Sequence, residues 1–170
     1  IKRGILRDFP TSYANEDGTR VEVDFDVHGV TRDGVSEAYA VERLSNGYRV
    51  RIGSADKMLD RGAHTYIIKY RTSRQIGFFH DVDELYWNAT GTGWTMPIEM
   101  AEARITLPEN VPFRQSALYT GPQGARDKDA TVVSQDGGTI VFRTTRPLPA
   151  RHGLTVAAGW EKGLIAAPSS

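Results

Sequence analysis

The segment TRVEVDFDV at Thr19–Val27 decides the fold class, because apolar and polar residues alternate along its length. The alternating apolar set is Val21, Val23, Phe25 and Val27, and the acidic set between them is Glu22, Asp24 and Asp26. A period of two is typical of a β-strand with one buried face. The segment is therefore predicted to be extended.

The same pattern recurs along the chain. Apolar and polar residues also alternate in Tyr48–Ile52 and Ala101–Leu107. Three further runs are rich in Ile, Val, Thr and Tyr, the residues that favour strands, and these runs are His64–Tyr70, Thr139–Phe142 and Leu154–Ala158. Strands therefore account for most of the predicted secondary structure.

Turn residues separate these strands. Asn46-Gly47 is predicted to form a tight type I′ hairpin, and Asp136-Gly137-Gly138 separates two further runs in the same way. The one predicted helical turn is short and lies around Asp81–Tyr86. About ten short strands with such turns predict an all-β protein, an antiparallel β-sandwich that is immunoglobulin-like or related, with a closed barrel as the alternative.

Composition excludes several classes of function. The chain has 170 residues, a size that predicts a single domain over residues 1–170. Its 21 basic residues balance 21 acidic ones, which argues against a nucleic-acid partner. The absence of cysteine excludes disulfides, thiolate metal sites and thiol nucleophiles. We predict neither a cofactor nor a metal.

The segment Arg74–Ile98 is the candidate site, because it concentrates aromatic and acidic residues. The candidate ligand-binding residues are Asp83, Glu84, Tyr86, Trp87, Asn88 and Trp94. Flat rings beside carboxylates and amides suit a saccharide, since the ring packs on C–H groups while the polar groups bind hydroxyls. The alternative is that Trp87 and Trp94 are buried and close one end of the sandwich.

Other chemistries find less support. Leu85 occupies the place of an oxygen ligand in the acidic run, so the EF-hand pattern for calcium fails. His64 falls in an apolar run, where a half-buried, hydrogen-bonded imidazole is expected. No catalytic motif is present, so we predict that the chain is not an enzyme. The carboxylate pair Asp83 and Glu99 leaves a glycosidase open as an alternative.

Five segments together resemble one known family, and they cover nearly the whole chain. They are GILRDFPT at Gly4–Thr11, YRVRIGSAD at Tyr48–Asp56, GAHTYIIKYRTSRQIGFF at Gly62–Phe79, DELYWNATGTGWTMPI at Asp83–Ile98 and YTGPQG at Tyr119–Gly124. The chain resembles the extracytoplasmic N-terminal domain of predicted bacterial membrane proteins of unknown function, the domain-of-unknown-function family 2207.

The resemblance implies an architecture and no catalytic or ligand-binding residues. It implies that residues 1–170 are a domain excised from a longer protein, which is anchored in the cell membrane with this domain on the extracytoplasmic side. The expected function is non-enzymatic interaction or sensing, with another envelope or membrane protein as the partner. A glycan-binding module and a structural spacer are the alternatives.

Overall fold

The computed structural model describes residues 2–14 and 17–169, and in these ranges the chain forms β-strands and no helix. The prediction of an all-β fold with antiparallel, sandwich-like sheets is confirmed. No helix in the described ranges is long and apolar enough to cross a membrane.

Residues 2–14 and 17–74 contain eight strands. Their bounds are β1 Gly4–Pro10, β2 Ser12–Ala14, β3 Arg20–Glu22, β4 Phe25–Arg32, β5 Val35–Ser36, β6 Tyr39–Leu44, β7 Gly47–Gly53 and β8 Tyr66–Thr72. Residues 75–169 contain seven. Their bounds are β9 Ile76–Phe78, β10 Asp83–Asn88, β11 Glu102–Thr106, β12 Gln115–Gly121, β13 Ala130–Asp136, β14 Thr139–Thr144 and β15 Gly153–Trp160.

The chain divides into two compact units, Ile1–Arg74 (unit 1) and Gln75–Ser170 (unit 2). The single domain over residues 1–170 stays a prediction, and within it each unit has its own apolar core.

Unit 1 contains two three-stranded sheets, in the orders β1-β7-β6 and β5-β4-β8, and the small hairpin β2-β3. The buried residues of its core are Phe9, Val30, Val50 and Ile52. Aromatic rings join the two sheets, since the ring of Phe9 lies 4.7 Å from that of Phe25 and 4.7 Å from that of Tyr70. Side chains from facing strands thus fill the space between the sheets.

Unit 2 contains a four-stranded sheet in the order β12-β15-β10-β9 and a three-stranded sheet in the order β11-β14-β13. Its core is larger than that of unit 1. The largest apolar side chains that it buries completely are Ile140, Phe142, Leu154, Val156 and Trp160. Strand β15 is central, because it pairs with β12 on one side and β10 on the other.

The predicted strand Thr19–Val27 is interrupted. Strand β3 ends at Glu22 and β4 begins at Phe25, because the backbone between them turns to other partners. The Val23 N–H donates to the Thr11 carbonyl at 2.9 Å, and the Asp24 N–H donates to Ser73 Oγ at 3.0 Å.

The predicted helical turn around Asp81–Tyr86 is wrong, since Asp83–Asn88 forms strand β10. Residues 83, 85 and 87 face the core of unit 2, and only a strand places residues two apart on one face. The local acidic residues suggested a helix start, but pairing with β15 and β9 determines the conformation.

The predicted type I′ turn at Asn46-Gly47 is also wrong. Leu44 pairs with Gly47, so the turn residues are Ser45 and Asn46, and none of these residues has a positive φ. Glycine is required for another reason: a Cβ at position 47 would lie 2.0 Å from the Phe9 carbonyl oxygen. The second hairpin fits the prediction, since Gly137 and Gly138 have φ of 53° and 80°.

Candidate functional site

Strand β10 positions five of the six predicted site residues and separates them onto two faces. It lies between β9 and β15, and Asp83 pairs with Trp160 of β15 while Asn88 pairs with Thr155. Asp83 and Trp87 point to the core side together with Leu85, which packs against the core. The outward side carries the other three residues of the strand, Glu84, Tyr86 and Asn88.

Trp87 is part of the packed interior. Its ring is half-buried and packs against the core of unit 2, so it does not form an open platform for a ligand. Tyr86, one residue earlier, is 59% exposed. The aromatic group open to solvent on β10 is therefore the phenol of Tyr86, and the predicted surface is centred on it.

Asp83 is buried and ion-paired. Its side chain is 1% exposed, and its Oδ1 accepts a hydrogen bond from Lys162 Nζ at 2.7 Å. The same ammonium group donates to the Phe79 carbonyl at 2.6 Å. A buried carboxylate is costly without such a partner. The pair joins the start of β10 to the chain just after β15, which is a structural role.

Trp94 lies in the loop after β10 and is half-buried. Its Nε1–H donates to the Thr90 carbonyl at 2.8 Å, and its own carbonyl accepts from the Arg151 N–H at 2.8 Å. Asn88 Oδ1 accepts from the Gly91 N–H at 3.0 Å. These bonds fix the conformation of the loop and hold Trp94 against the backbone of Thr90 and Arg151.

The outward residues of β10 meet side chains from β12 across β15. Glu84 Oε2 accepts a hydrogen bond from Gln115 Nε2 at 2.8 Å, and the Gln115 side chain crosses Gly159, which has no side chain to obstruct it. Tyr86 lies opposite Ala157, whose small side chain leaves the phenol ring accessible.

Tyr119 completes this row of β12 residues. It lies opposite Thr155, the partner of Asn88, and Lys128 Nζ is 4.1 Å from the centre of its ring. We call the five side chains Glu84, Tyr86, Asn88, Gln115 and Tyr119 the β10 outer surface. Sequence reasoning missed Gln115 and Tyr119. Their alternation in β12 could have shown that they share a face, but nothing local shows that β15 lies between β12 and β10.

The β10 outer surface can stack a ring and exchange hydrogen bonds, which is binding chemistry. Within residues 2–14 and 17–169, no group of three or more His, Asp or Glu side chains could hold a metal ion. The carboxylate of Asp83, considered for catalysis together with Glu99, is held by Lys162 inside the unit.

His64 of unit 1 has the predicted half-buried, hydrogen-bonded environment. Its Nδ1 lies 2.9 Å from Asp33 Oδ2, and its Nε2 lies 2.7 Å from the Asp60 carbonyl oxygen. Both partners are acceptors, so the imidazolium form satisfies both bonds. The hydrogen bond to Asp33 raises the pKa of His64, and the same bond lowers the pKa of Asp33.

Comparison with known proteins gives a family and one curated relative. The relative is "Uncharacterized protein YciQ" of Escherichia coli (strain K12), which is 29% identical over 174 residues. The alignment covers 100% of this chain and 26% of the relative, so the chain spans about a quarter of that protein's length. No solved structure matches the chain.

The family comparison covers most of the sequence. Residues 1–160 match the family described as predicted membrane protein (DUF2207), N-terminal domain. This agrees with the resemblance drawn from the five sequence segments. The chain therefore belongs to the DUF2207 family of predicted membrane proteins, and its residues correspond to the N-terminal domain of that family.

Proposed function

We propose that this chain is a non-enzymatic interaction or sensing domain, that it lies on the extracytoplasmic side of a bacterial membrane, and that it binds another envelope or membrane protein. The proposed contact is the β10 outer surface. The supporting observation is the exposed phenol of Tyr86 on β10, a strand that pairs with β15 along its length, flanked by the Glu84–Gln115 pair.

Several physical properties favour this use of the surface. Tyrosine contributes a large contact area at a low cost in conformational entropy and can also form a hydrogen bond. Its strand pairs with β15 from Asp83 to Asn88, and β9 adds a second partner at Asp83–Leu85, so the surface needs little reorganisation on binding. Aromatic residues of this kind are enriched among those that dominate protein–protein binding energy.

Site-specific photo-crosslinking in cells tests the proposed contact. A photoreactive phenylalanine analogue would replace Tyr86 in the full-length protein, and the matched control would place it at Met100, which is similarly exposed at 60% in the same unit. We expect a discrete crosslinked membrane or envelope protein from position 86 alone. Equal products from both positions, or none from position 86, would contradict the proposed surface.

Cysteine labelling tests the side of the membrane. These 170 residues contain no cysteine, so Met100→Cys adds their only thiol at an exposed position, and the full-length protein without this substitution is the control for thiols elsewhere. In intact spheroplasts that express the full-length protein, a membrane-impermeant maleimide should label this thiol. Labelling that requires lysis of the cells would place the domain on the opposite side.

A glycan ligand is the second candidate, because Tyr86 is exposed beside the polar groups of Glu84, Gln115 and Asn88. NMR titration of the isotope-labelled domain with envelope oligosaccharides would show saturable chemical-shift changes at residues of β10 and β12 if the domain binds them. Tyr86→Ala should abolish these shifts, and Met100→Ala should leave them unchanged. If neither crosslinking nor titration detects a ligand, the domain is better described as a spacer.

A further inference from the structure

Unit 1 has an apolar surface on β6 that faces inward and is nevertheless open to solvent. Tyr39 and Val41 lie directly opposite Ile52 and Val50 of β7, and directly opposite residues of an antiparallel pair point to the same side of the sheet. Ile52 and Val50 are buried in the core. Tyr39 is 39% exposed and Val41 is 44% exposed. The opposite sheet therefore covers β7 and leaves Tyr39 and Val41 of β6 open, whereas Arg43, the next residue of the same row, pairs with Glu22 of β3.

The alignment of the two sheets explains this opening. The ring of Phe25 in β4 lies between Phe9 of β1 at 4.7 Å and Tyr48 of β7 at 5.7 Å. Val30 of β4 is buried in one cluster with Val50 and Ile52 of β7, so β4 lies across from β7 along its second half. The ring of Tyr70 in β8 lies 4.7 Å from that of Phe9, so β8 lies across from β1. The next strand position, across from β6, would belong to β5, which contains only Val35–Ser36.

Strand β4 has a free edge at the same position. It pairs with β5 only at Thr31 and Arg32, and the Val30 carbonyl accepts from the Glu37 N–H at 3.0 Å. In the part of the chain that the structure describes, residues 25–29 of β4 have a strand partner only on the β8 side. An unpaired strand edge offers backbone donors and acceptors to an added extended segment.

We propose that unit 1 binds one extended peptide segment of a partner protein, which adds to the free edge of β4 and covers Tyr39 and Val41 of β6. We call this position the β4–β6 slot. It lies entirely within unit 1, so it is a second interaction surface that does not depend on the β10 outer surface.

The slot fits a lone segment better than the edge strand of a folded domain. An added strand would lie about 4.8 Å from β4 and about 10 Å above β6. Its inward side chains must be apolar to cover Tyr39 and Val41. A strand of a folded sandwich already has its apolar face against its own second sheet. If a second copy of this chain added its edge strand to β4, the second sheet of that copy would therefore occupy the space of β6.

The surroundings also specify the composition of the segment. Inward positions should carry apolar residues at every second place, because they face Tyr39 and Val41. Outward positions lie beside exposed Asp26 on β4, whose neighbour on the β8 side is Arg71, and a second basic residue is favoured on the open side. An alternating apolar and basic sequence is the expected ligand chemistry.

A synthetic peptide tests the slot directly. The probe is a fluorescein-labelled strand of about seven residues in which valine and lysine alternate. The control peptide has the same composition with its valines and lysines in separate blocks. We expect the alternating peptide to bind the 170-residue chain saturably and at least about tenfold more tightly than the control peptide.

Two protein variants localise the binding. Val41→Asp should lower the affinity for the alternating peptide by about tenfold or more. Val133→Asp is the matched control, since Val133 is a β13 residue of unit 2 with 42% exposure, and it should change the affinity by less than about twofold. Both substitutions lie at exposed positions, and melting curves of the two variants would verify that they fold.

Hydrogen exchange of the wild-type chain gives a readout that needs no variant. Peptide binding should slow exchange at the backbone amides of residues 25–29. Any of four results would overturn the proposal. They are the absence of saturable binding, equal binding of the control peptide, an equal loss of affinity in Val133→Asp, and protection from exchange that is confined to other strands. A concentration-dependent dimer that Val41→Asp abolishes would also overturn it, because a second copy would then occupy the slot.

Discussion

At the scale of single residues, the close approach of two backbones explains why residue 47 is a glycine. A Cβ at this position would meet the Phe9 carbonyl oxygen at 2.0 Å, and both strands are fixed by their pairing over the length of β1. Gly47→Ala should therefore destabilise the chain by about 2 kcal/mol or more in urea unfolding, since the strands must separate locally.

Gly29→Ala provides the control for this prediction. Position 29 also lies in a strand of unit 1, but a Cβ there would meet no atom within 4 Å. Its expected effect is within about 0.5 kcal/mol of the wild type. If the two variants unfold alike, the contact with the Phe9 carbonyl does not explain the glycine at position 47.

The same residue illustrates what local sequence can and cannot predict. The Asn-Gly pair correctly indicated a hairpin between β6 and β7, but the stated reason, a positive φ, was wrong. The true constraint comes from β1, whose Phe9 pairs with Tyr48 across about forty residues of chain. Such a long-range contact has no local signal.

At the scale of a single strand, alternation in β10 assigns neighbouring aromatic residues to opposite environments. Trp87→Ala should cost about 2–4 kcal/mol, because the ring packs against the core of unit 2. Tyr86→Ala should cost less than about 1 kcal/mol, because that ring is largely exposed. Urea unfolding of the two variants gives the comparison, and equal losses would contradict the assignment of the two faces.

The sequence did not predict β10 as a strand, because a short helical turn was expected around Asp81–Tyr86. Aromatic side chains occupy both faces of the strand, so alternation gave no signal of which face is buried. Burial is determined by β15, which lies more than sixty residues later in the chain. The partners of the acidic residues are also distant in sequence, since Gln115 is 31 residues from Glu84 and Lys162 is 79 residues from Asp83.

A connection between elements predicts a pH dependence. His64 joins the loop before β8 to the β4–β5 turn through Asp33, and this bond raises the pKa of His64 above its ordinary value of 6.5. Protonated His64 therefore stabilises the folded chain below pH 6.5, and this contribution is lost as the pH rises through the raised pKa.

Melting temperatures across a pH series would measure this contribution. His64→Gln should lower the melting temperature most in mildly acidic buffer, and the difference from wild type should shrink as the pH becomes alkaline. Below the ordinary Asp33 pKa of 3.8 the stabilisation from this carboxylate is lost as well, since its pKa is lowered in the folded state. His80→Gln is the control, because His80 is 98% exposed, and a parallel pH trend in that variant would contradict the role of His64.

At the scale of the whole molecule, the sizes of the two cores predict that the two units differ in stability when each is isolated as a fragment. The buried residues of the larger core lie within Gln75–Ser170 and include Phe142 and Trp160, whereas the core cluster of unit 1 has four buried members among the described residues and an open strand position. A fragment of residues 75–170 should therefore fold alone and melt cooperatively. Residues 1–74 should be markedly less stable, because a smaller domain buries a smaller fraction of its surface.

Circular dichroism melting and NMR of the two fragments would decide this prediction. The expected result is well-dispersed amide resonances for residues 75–170 and a lower melting temperature for residues 1–74. The alternating peptide should then raise the melting temperature of the smaller fragment, since a ligand that binds only the folded state stabilises it. A fragment 75–170 that lacks cooperative melting would show that its core is insufficient, and the division into two units would have no consequence for folding.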